Sequence, residues 1–269
     1  MSHKKQWKIV LIFSSIYLMT HNAIAETVIN PCSGPTSLLN IIDRPTVGDS
    51  PCTVPYKKAV LELGYQYQSL RGGGRQQNAP DAEFRLGLPA NNELAILLPN
   101  YSHQSINPSA GFSATTLGLK HQIGYTRNWI TDIEGLFTLP TGSDAFGSHA
   151  LGVAINGIAG YTINSAFNLT FMLGASSQTE SNVNGGDRFS SINPDVVLTY
   201  TLASKVNLYG EMYGQTQTGS GAGSGFNCDT GFVFLPLAFF AVDLEFGQRM
   251  SGNLGGFNHY VGAGMSMLF

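Results

Sequence analysis

From Tyr56 onward, apolar and polar residues alternate in stretches of about ten, separated by turn-forming residues. Successive side chains of a strand point to opposite faces, so each stretch predicts a strand with one oily and one polar face. The first sets Ala59, Leu61, Leu63, Tyr65 and Tyr67 against Glu62, Gly64 and Gln66. The second, Ala82 to Leu88, sets Phe84 and Leu86 against Glu83 and Arg85. A less regular third keeps Leu94, Ile96 and Leu98 in phase. Leu117, Leu119 and Ile123 then oppose Lys120 and Gln122, and Trp129, Ile133 and Phe137 oppose Asp132 and Glu134. The second half continues this way through Leu151–Tyr161, Phe167–Leu173, Val196–Tyr200 and Val206–Met212. One stretch, Cys228 to Leu237, is apolar in both phases. Val242, Leu244 and Phe246 next oppose Asp243, Glu245 and Arg249. The chain closes on "HYVGAGMSMLF", with Val261, Ala263, Met265, Met267 and Phe269 on one face and mostly small residues on the other. Twelve candidate strands result.

The connections alternate in length. After even-numbered strands they are short, as in Asn91-Asn92, "YTRN", "INSA" and "ASK". After odd-numbered strands they are longer and rich in Gly, Ser and Asn: "LRGGGRQQNAPD", "TGSDAFGSH", "SQTESNVNGGDR", "TQTGSGAGSG" and "SGNLGGFN". Tight turns at one end and long loops at the other are the pattern of an outer-membrane barrel. Charge placement agrees. Glu62, Glu83, Arg85, Lys120, Asp132, Glu134, Glu211, Asp243, Glu245 and Arg249 fall on the polar face, where a water-accessible interior accepts them. A basic residue at the bilayer midplane would cost about 2–4 kcal/mol. The expected fold is all-β: a transmembrane, antiparallel, up-and-down barrel of about twelve strands. The ten charged residues would line its interior, with Glu83–Arg85 and Glu245–Arg249 as candidate pairs.

The first 25 residues read as an export signal: basic Lys4, Lys5 and Lys8, an apolar run from Ile9 to Met19, and a small-residue site at Ala23-Ile24-Ala25. Residues 26–55 then form a separate segment ahead of a barrel over 56–269: a plug folded into the barrel, a periplasmic cap, or a mobile leader with no gating role. In an oxidising compartment Cys32 and Cys52 predict a disulfide, a bridge of roughly 3 kcal/mol in the chain-entropy model. Cys228 reads as a small apolar filler. Only 12% of the residues are charged, and 32 are glycine. The net charge of −3, more negative once the leader lysines are lost, offers no footprint for nucleic acid. No metal-ligand spacing or phosphate loop is present, and no cofactor is expected.

The phrase "DRPTVGDSPCTV" (Asp43–Val54), followed in order by "FRLGLPANNELAILLPNY", "TTLGLKHQIG" and "LFTLPTGSD", resembles a family of outer-membrane transporters named for the meta pathway of phenol degradation. The resemblance spans Asp43 to Phe269. It implies a transmembrane barrel in the bacterial outer membrane and a role in transport; phenol itself does not follow from the family's name.

Three functions compete. The first is a narrow channel or transporter for small solutes, including hydrophobic or aromatic ones, with a mild preference for cations set by the acidic interior. The second is an enzyme at the outer rim, for which Asp144, Ser148 and His149 are the one local cluster; solvated loop residues explain that cluster more simply, and no enzyme is expected. The third is a non-conducting barrel that binds other molecules through its loops. Expected partners are outer-membrane lipid, a small solute and the barrel-assembly machinery, the last through the C-terminal strand with Tyr260 and Phe269 as its signal.

Overall fold

The computed structural model describes residues 30–269, so the export signal lies outside the described residues. One short helix, α1 (Leu38–Ile41), precedes the strands. They are β1 (Ala59–Leu70), β2 (Arg75–Ala79), β3 (Glu83–Leu88), β4 (Asn92–Leu97), β5 (Tyr101–Gln104), β6 (Ala110–Phe112), β7 (Thr116–Tyr125) and β8 (Trp129–Thr138). The remainder are β9 (Gly152–Thr162), β10 (Phe167–Thr179), β11 (Arg188–Ala203), β12 (Val206–Gln215), β13 (Gly225–Leu237), β14 (Phe240–Ser251) and β15 (Phe257–Leu268). Every pairing is antiparallel. β1 pairs with β3 near its start and with β2 near its end, and β4 and β5 continue the same two layers. The pairs β2/β3, β4/β5 and β6/β7 are therefore three wall strands, each interrupted once, and the wall has twelve. β15 closes it against β1, from Val60 opposite Leu268 to Leu70 opposite Phe257. Through the body of the wall closure leaves no sheet edge, the condition for a β-structure to cross lipid; the short β6 alone pairs on one side only, with β5.

The alternation resolves into an outside and an inside. On β7, Leu119 and Ile123 are 54% and 64% exposed while Lys120 and Gln122 are 2% and 3%. On β14, Leu244 and Phe246 face outward and Asp243 and Glu245 are buried inside. Aromatic pairs ring the periplasmic end of the wall, Trp129 with Tyr161 and Phe167 with Tyr200, where amphipathic rings suit the lipid headgroup level. An arginine at Leu244 is accordingly expected to destabilise the folded barrel by about 2–4 kcal/mol, measured by reversible unfolding in lipid vesicles. An unchanged midpoint would mean that this face does not meet acyl chains.

Two expectations change. "LRGGGRQQNAPD" is largely strand: Arg75–Ala79 forms β2 and the turn is only 71–74, with Gly72, Gly73 and Gly74 all at positive φ. Its loop-like composition arises because Gln76 and Asn78 take the inward phase of the wall. The second and third strands are also longer than expected, broken at Pro80–Ala82 and Leu98–Asn100. Proline donates no hydrogen bond to a ladder. Single bonds carry the wall across these breaks: Gly64 N–H to Pro80 O at 2.6 Å and Leu98 N–H to Ala82 O at 2.8 Å.

Candidate functional site

The segment before β1 occupies the inside of the barrel. Leu38, Ile41 and Ile42 of α1 and its exit pack with the Cys32–Cys52 disulfide and Val54 against Val60, Ile130, Val233, Leu235 and Ala241. These wall residues lie at the periplasmic ends of their strands and point inward. Here the usual polar lining gives way to an apolar collar. The collar also explains why Cys228–Leu237 is apolar in both phases: Phe232 and Phe234 face outward, while Val233 and Leu235 meet the plug. Cys228 is unpaired, on the outward-facing phase of the same strand.

Beyond the collar, residues 43–49 form a polar tip reaching into the middle of the barrel. On one side it is held by a buried ion cluster. Arg85, fully buried, donates from Nε and Nη2 to both oxygens of Glu93 (2.7 and 3.1 Å), and from Nη1 to Glu62 (3.1 Å) and the carbonyl of Ile41 (2.6 Å). Its Nη1 also lies 3.0 Å from Asp43. Glu62 in turn accepts the backbone N–H groups of Asp43 and Arg44 at 3.0 and 2.9 Å, and Glu93 accepts that of Val54 at 2.6 Å. Lys120 completes the cluster, 3.4 Å from Asp43 and 3.9 Å from Glu134. Burial pushes the Asp43 carboxyl up to about 6 even though Arg85 and Lys120 pull it down. Burial likewise raises that of Asp49 well above the ordinary range, with Glu134 adding to the shift. Asp43, Glu62 and Glu83 alone would resemble a metal-binding group, but the Arg85 guanidinium already sits against the first two.

On the opposite side the tip meets β12 and β14. The N–H groups of Val47 and Gly48 donate to Glu211 at 3.0 and 2.7 Å. Arg44 reaches Asp243 at 3.2 Å, Glu245 at 3.8 Å and Asp81, at the wall break, at 2.6 Å. Burial alone would lower the Arg44 pKa, but Asp243 and Asp81 hold it above its ordinary value. The guanidinium lies directly over Gly64 and Gly264, where a Cβ would collide with it. Space for the plug and for Glu245, which covers Gly262, is thus the reason for the small face of the final strand. Two cavities flank the tip, and Arg44, Pro45, Thr46 and Asp49 line both. The outer one, about 590 Å³, extends to Gln66, Asn78, Asn100 and Ser102. The inner one, about 270 Å³, lies between the plug and β8–β13.

The family model described as "Putative MetA-pathway of phenol degradation" matches residues 43–268. The chain belongs to this family. Among solved structures it is similar to the COG4313 outer membrane channel from Pseudomonas putida F1, with a TM-score of 0.66 at 12% identity over 83% of this chain and 100% of that one. It is also similar to the NanC porin (TM-score 0.53, 10% identity, 78% and 98% of the two chains) and the KdgM porin (0.50, 10%, 77% and 99%). No curated protein sequence matches it. Its fold is that of the outer-membrane channel and porin barrels.

The phrase that first resembled the phenol-degradation family, Asp43–Val54, is the plug tip and its return, so the resemblance lies partly in the segment that fills the barrel. Of the ten charged positions read from the sequence, Glu62, Arg85, Lys120, Asp132, Glu134, Glu211, Asp243 and Glu245 are buried inside. Glu83 is half-buried in the same phase, and Arg249 sits at the outer rim, donating to Gly252 O at 3.3 Å. The two expected pairings are not formed. Arg85 turns from Glu83 to Glu62, Glu93 and Asp43, and Glu245 meets Arg44 of the plug rather than Arg249. Glu93 and Asp229 also stand inward, outside the charged set read from the sequence, Asp229 because its stretch is apolar in both phases; Asp195, whose alternation opposite Val196 and Leu198 already puts it on the polar face, joins them inside. Tyr260 points inward, its hydroxyl donating to Asp229 at 2.7 Å, whereas Phe269 is exposed and pairs through its backbone with Ala59. At the rim, Asn182 stands between His149 and Asp144, at 2.5 and 2.9 Å, and Ser148 bonds instead to Thr179 and Ala150.

The disulfide closes the plug over a separation of 20 residues. Replacing Cys32 and Cys52 by serine is expected to cost the seated plug about 3 kcal/mol. The check is proteolytic nicking between residues 38 and 49, faster in the double variant than in the parent, with little change in the barrel's own melting.

Proposed function

We propose that the protein is a narrow channel or transporter for small solutes, apolar or aromatic ones among them, with the plug tip as its constriction. The observation that carries this reading is the pair of cavities in series on either side of residues 44–49, inside a barrel with the fold of an outer membrane channel. Twelve strands fall between barrels filled by side chains and those with a wide aqueous pore, which favours a restricted path. Along it the wall from β11 to β14 presents Asp195, Glu211, Asp229, Asp243 and Glu245 to the interior, with Arg44 as the cation beside the last two. Anions are therefore disfavoured. Glu62, Arg85, Lys120 and Glu134 act as anchors for the plug. The C-terminal strand, ending in exposed Phe269, is the segment offered to the assembly machinery.

Reconstitution tests the reading. Planar bilayers should show small, cation-preferring currents, and liposomes should admit compact neutral solutes faster than anions. A chain lacking residues 30–55 should conduct several-fold more. If neither form passed ions or solutes, the alternative of a non-conducting, interaction-bearing barrel would take its place.

A further inference from the structure

The outward face of the wall changes character at its loop end. The registers of β1 with β2, β2 with β5 and β5 with β6 put Tyr65, Tyr101 and Phe112 at one level. They are 43%, 41% and 50% exposed, and the last two rings lie 5.1 Å apart. Rings in such a row suit the lipid headgroup level. About 7 to 13 Å further out along the strands, the outward positions turn basic. Arg75 and His259 flank Ser69, one on each neighbouring strand, and His103 stands beside Gln77. All three are exposed, and none of their side chains has a hydrogen-bond or ion-pair partner among the described residues. Arg71, at the next outward position of β1, is exposed as well and donates from one guanidinium nitrogen to Gly252 O at 3.0 Å. No carboxylate takes the outward phase on β1, β2, β5, β6, β14 or β15. Asp81, at the wall break, is bound to Arg44.

We propose that this patch docks a phosphorylated glycolipid of the outer leaflet, with a phosphate held among Arg75, His259 and His103. Basic groups clustered at the headgroup level are the means by which a membrane protein holds a lipid phosphate. Arg75 and His259 stand about 10 Å apart at the backbone, on the two strands beside β1, a gap their side chains close around one tetrahedral anion. The guanidinium offers paired N–H groups that match phosphate oxygens, and an imidazole supplies a further N–H in either charge state. On the membrane side of the aromatic row, Leu63 and Met265 are paired across β1 and β15 on the lipid face. One amphiphile therefore meets both surfaces, its phosphate on the basic patch and its acyl chains on the apolar wall. A soluble anion would gain nothing from that wall. Nothing at this site depends on whether the barrel conducts.

The test is native mass spectrometry of the full-length barrel in detergent, with diphosphorylated lipid A as probe and the same lipid stripped of phosphate as control. Retention of the phosphorylated form is expected to exceed that of the stripped form about tenfold. Arg75→Gln should lower it about fivefold, the worth of one basic side chain near a lipid surface. Arg75→Gln combined with His103→Gln and His259→Gln should abolish the preference. Lys205→Gln, in the turn between β11 and β12 at the opposite end of the barrel, should leave it unchanged. Heat-modifiable migration in electrophoresis is the control for folding, and the comparison of the two lipids on the parent depends on no variant. Equal retention of the two lipids, or a triple variant that still prefers the phosphorylated one, overturns the proposal. So does displacement of the lipid by millimolar inorganic phosphate, which would mark a site for soluble anions instead.

Discussion

Replacing Arg85 by methionine is expected to unseat the plug and raise the single-channel conductance several-fold. Arg85 is wholly buried and faces Glu62, Glu93 and Asp43 at 2.7–3.1 Å. Removing one partner of a buried ionic group leaves the others uncompensated, at a cost of about 3–5 kcal/mol. Here three carboxylates lose their cation together, and Lys120, at 3.4 Å from Asp43, reaches only one of the three within ion-pair distance. The wall is held by its own ladders, whereas Asp43, Arg44 and Val54 are held through Glu62 and Glu93. The plug therefore gives way before the barrel does. Arg85→Lys keeps the charge but loses the two-pronged grip on Glu93, and should fall between parent and methionine variant. Parent-like conductance and protease resistance in the methionine variant would show that the ion cluster is not what holds the plug.

Leucine at Gly64 is expected to displace Arg44 without removing any charge. A Cβ at this position already overlaps the guanidinium, and the longer branch would occupy the shelf that Gly64 and Gly264 provide. Arg44 then loses contact with Asp243 and Asp81, and the tip loses one of its two lateral supports. Conductance should rise, less than in Arg85→Met because Glu211 still holds Val47 and Gly48. Weaker discrimination against anions would not follow, since the carboxylates of β11–β14 remain. Gly157 is the internal control: no atom lies near its would-be Cβ, so Gly157→Ala should leave conductance unchanged. Equal effects at Gly64 and Gly157 would refute the shelf.

Much of the barrel is legible one strand at a time. Leu119 against Lys120, and Leu244 against Asp243, announce outside and inside because the pleat sends neighbours to opposite faces and lipid does not accept the charges. Where both faces meet apolar partners the signal disappears. Val233 and Leu235 look like lipid-facing residues and in fact press on α1. Polar wall at the loop end of the barrel fails in the opposite direction: Arg75–Ala79 reads as loop although it pairs with β1 and β5.

The amino-acid sequence by itself determined most strand phases, most of the sorting of turns from loops, a cysteine-bracketed segment ahead of the strands and the family, because each is local or nearly so along the chain. Only the tertiary structure decided that this segment lies inside the barrel, that Arg85 serves Glu62, Glu93 and Asp43 rather than Glu83, and that Gly64 and Gly264 make room for Arg44. Those partners are far apart in sequence. They meet only when a closed wall brings its inward residues within a few ångströms of one inserted loop, and in that low-dielectric interior each charge is tied to whichever partner the closure leaves beside it.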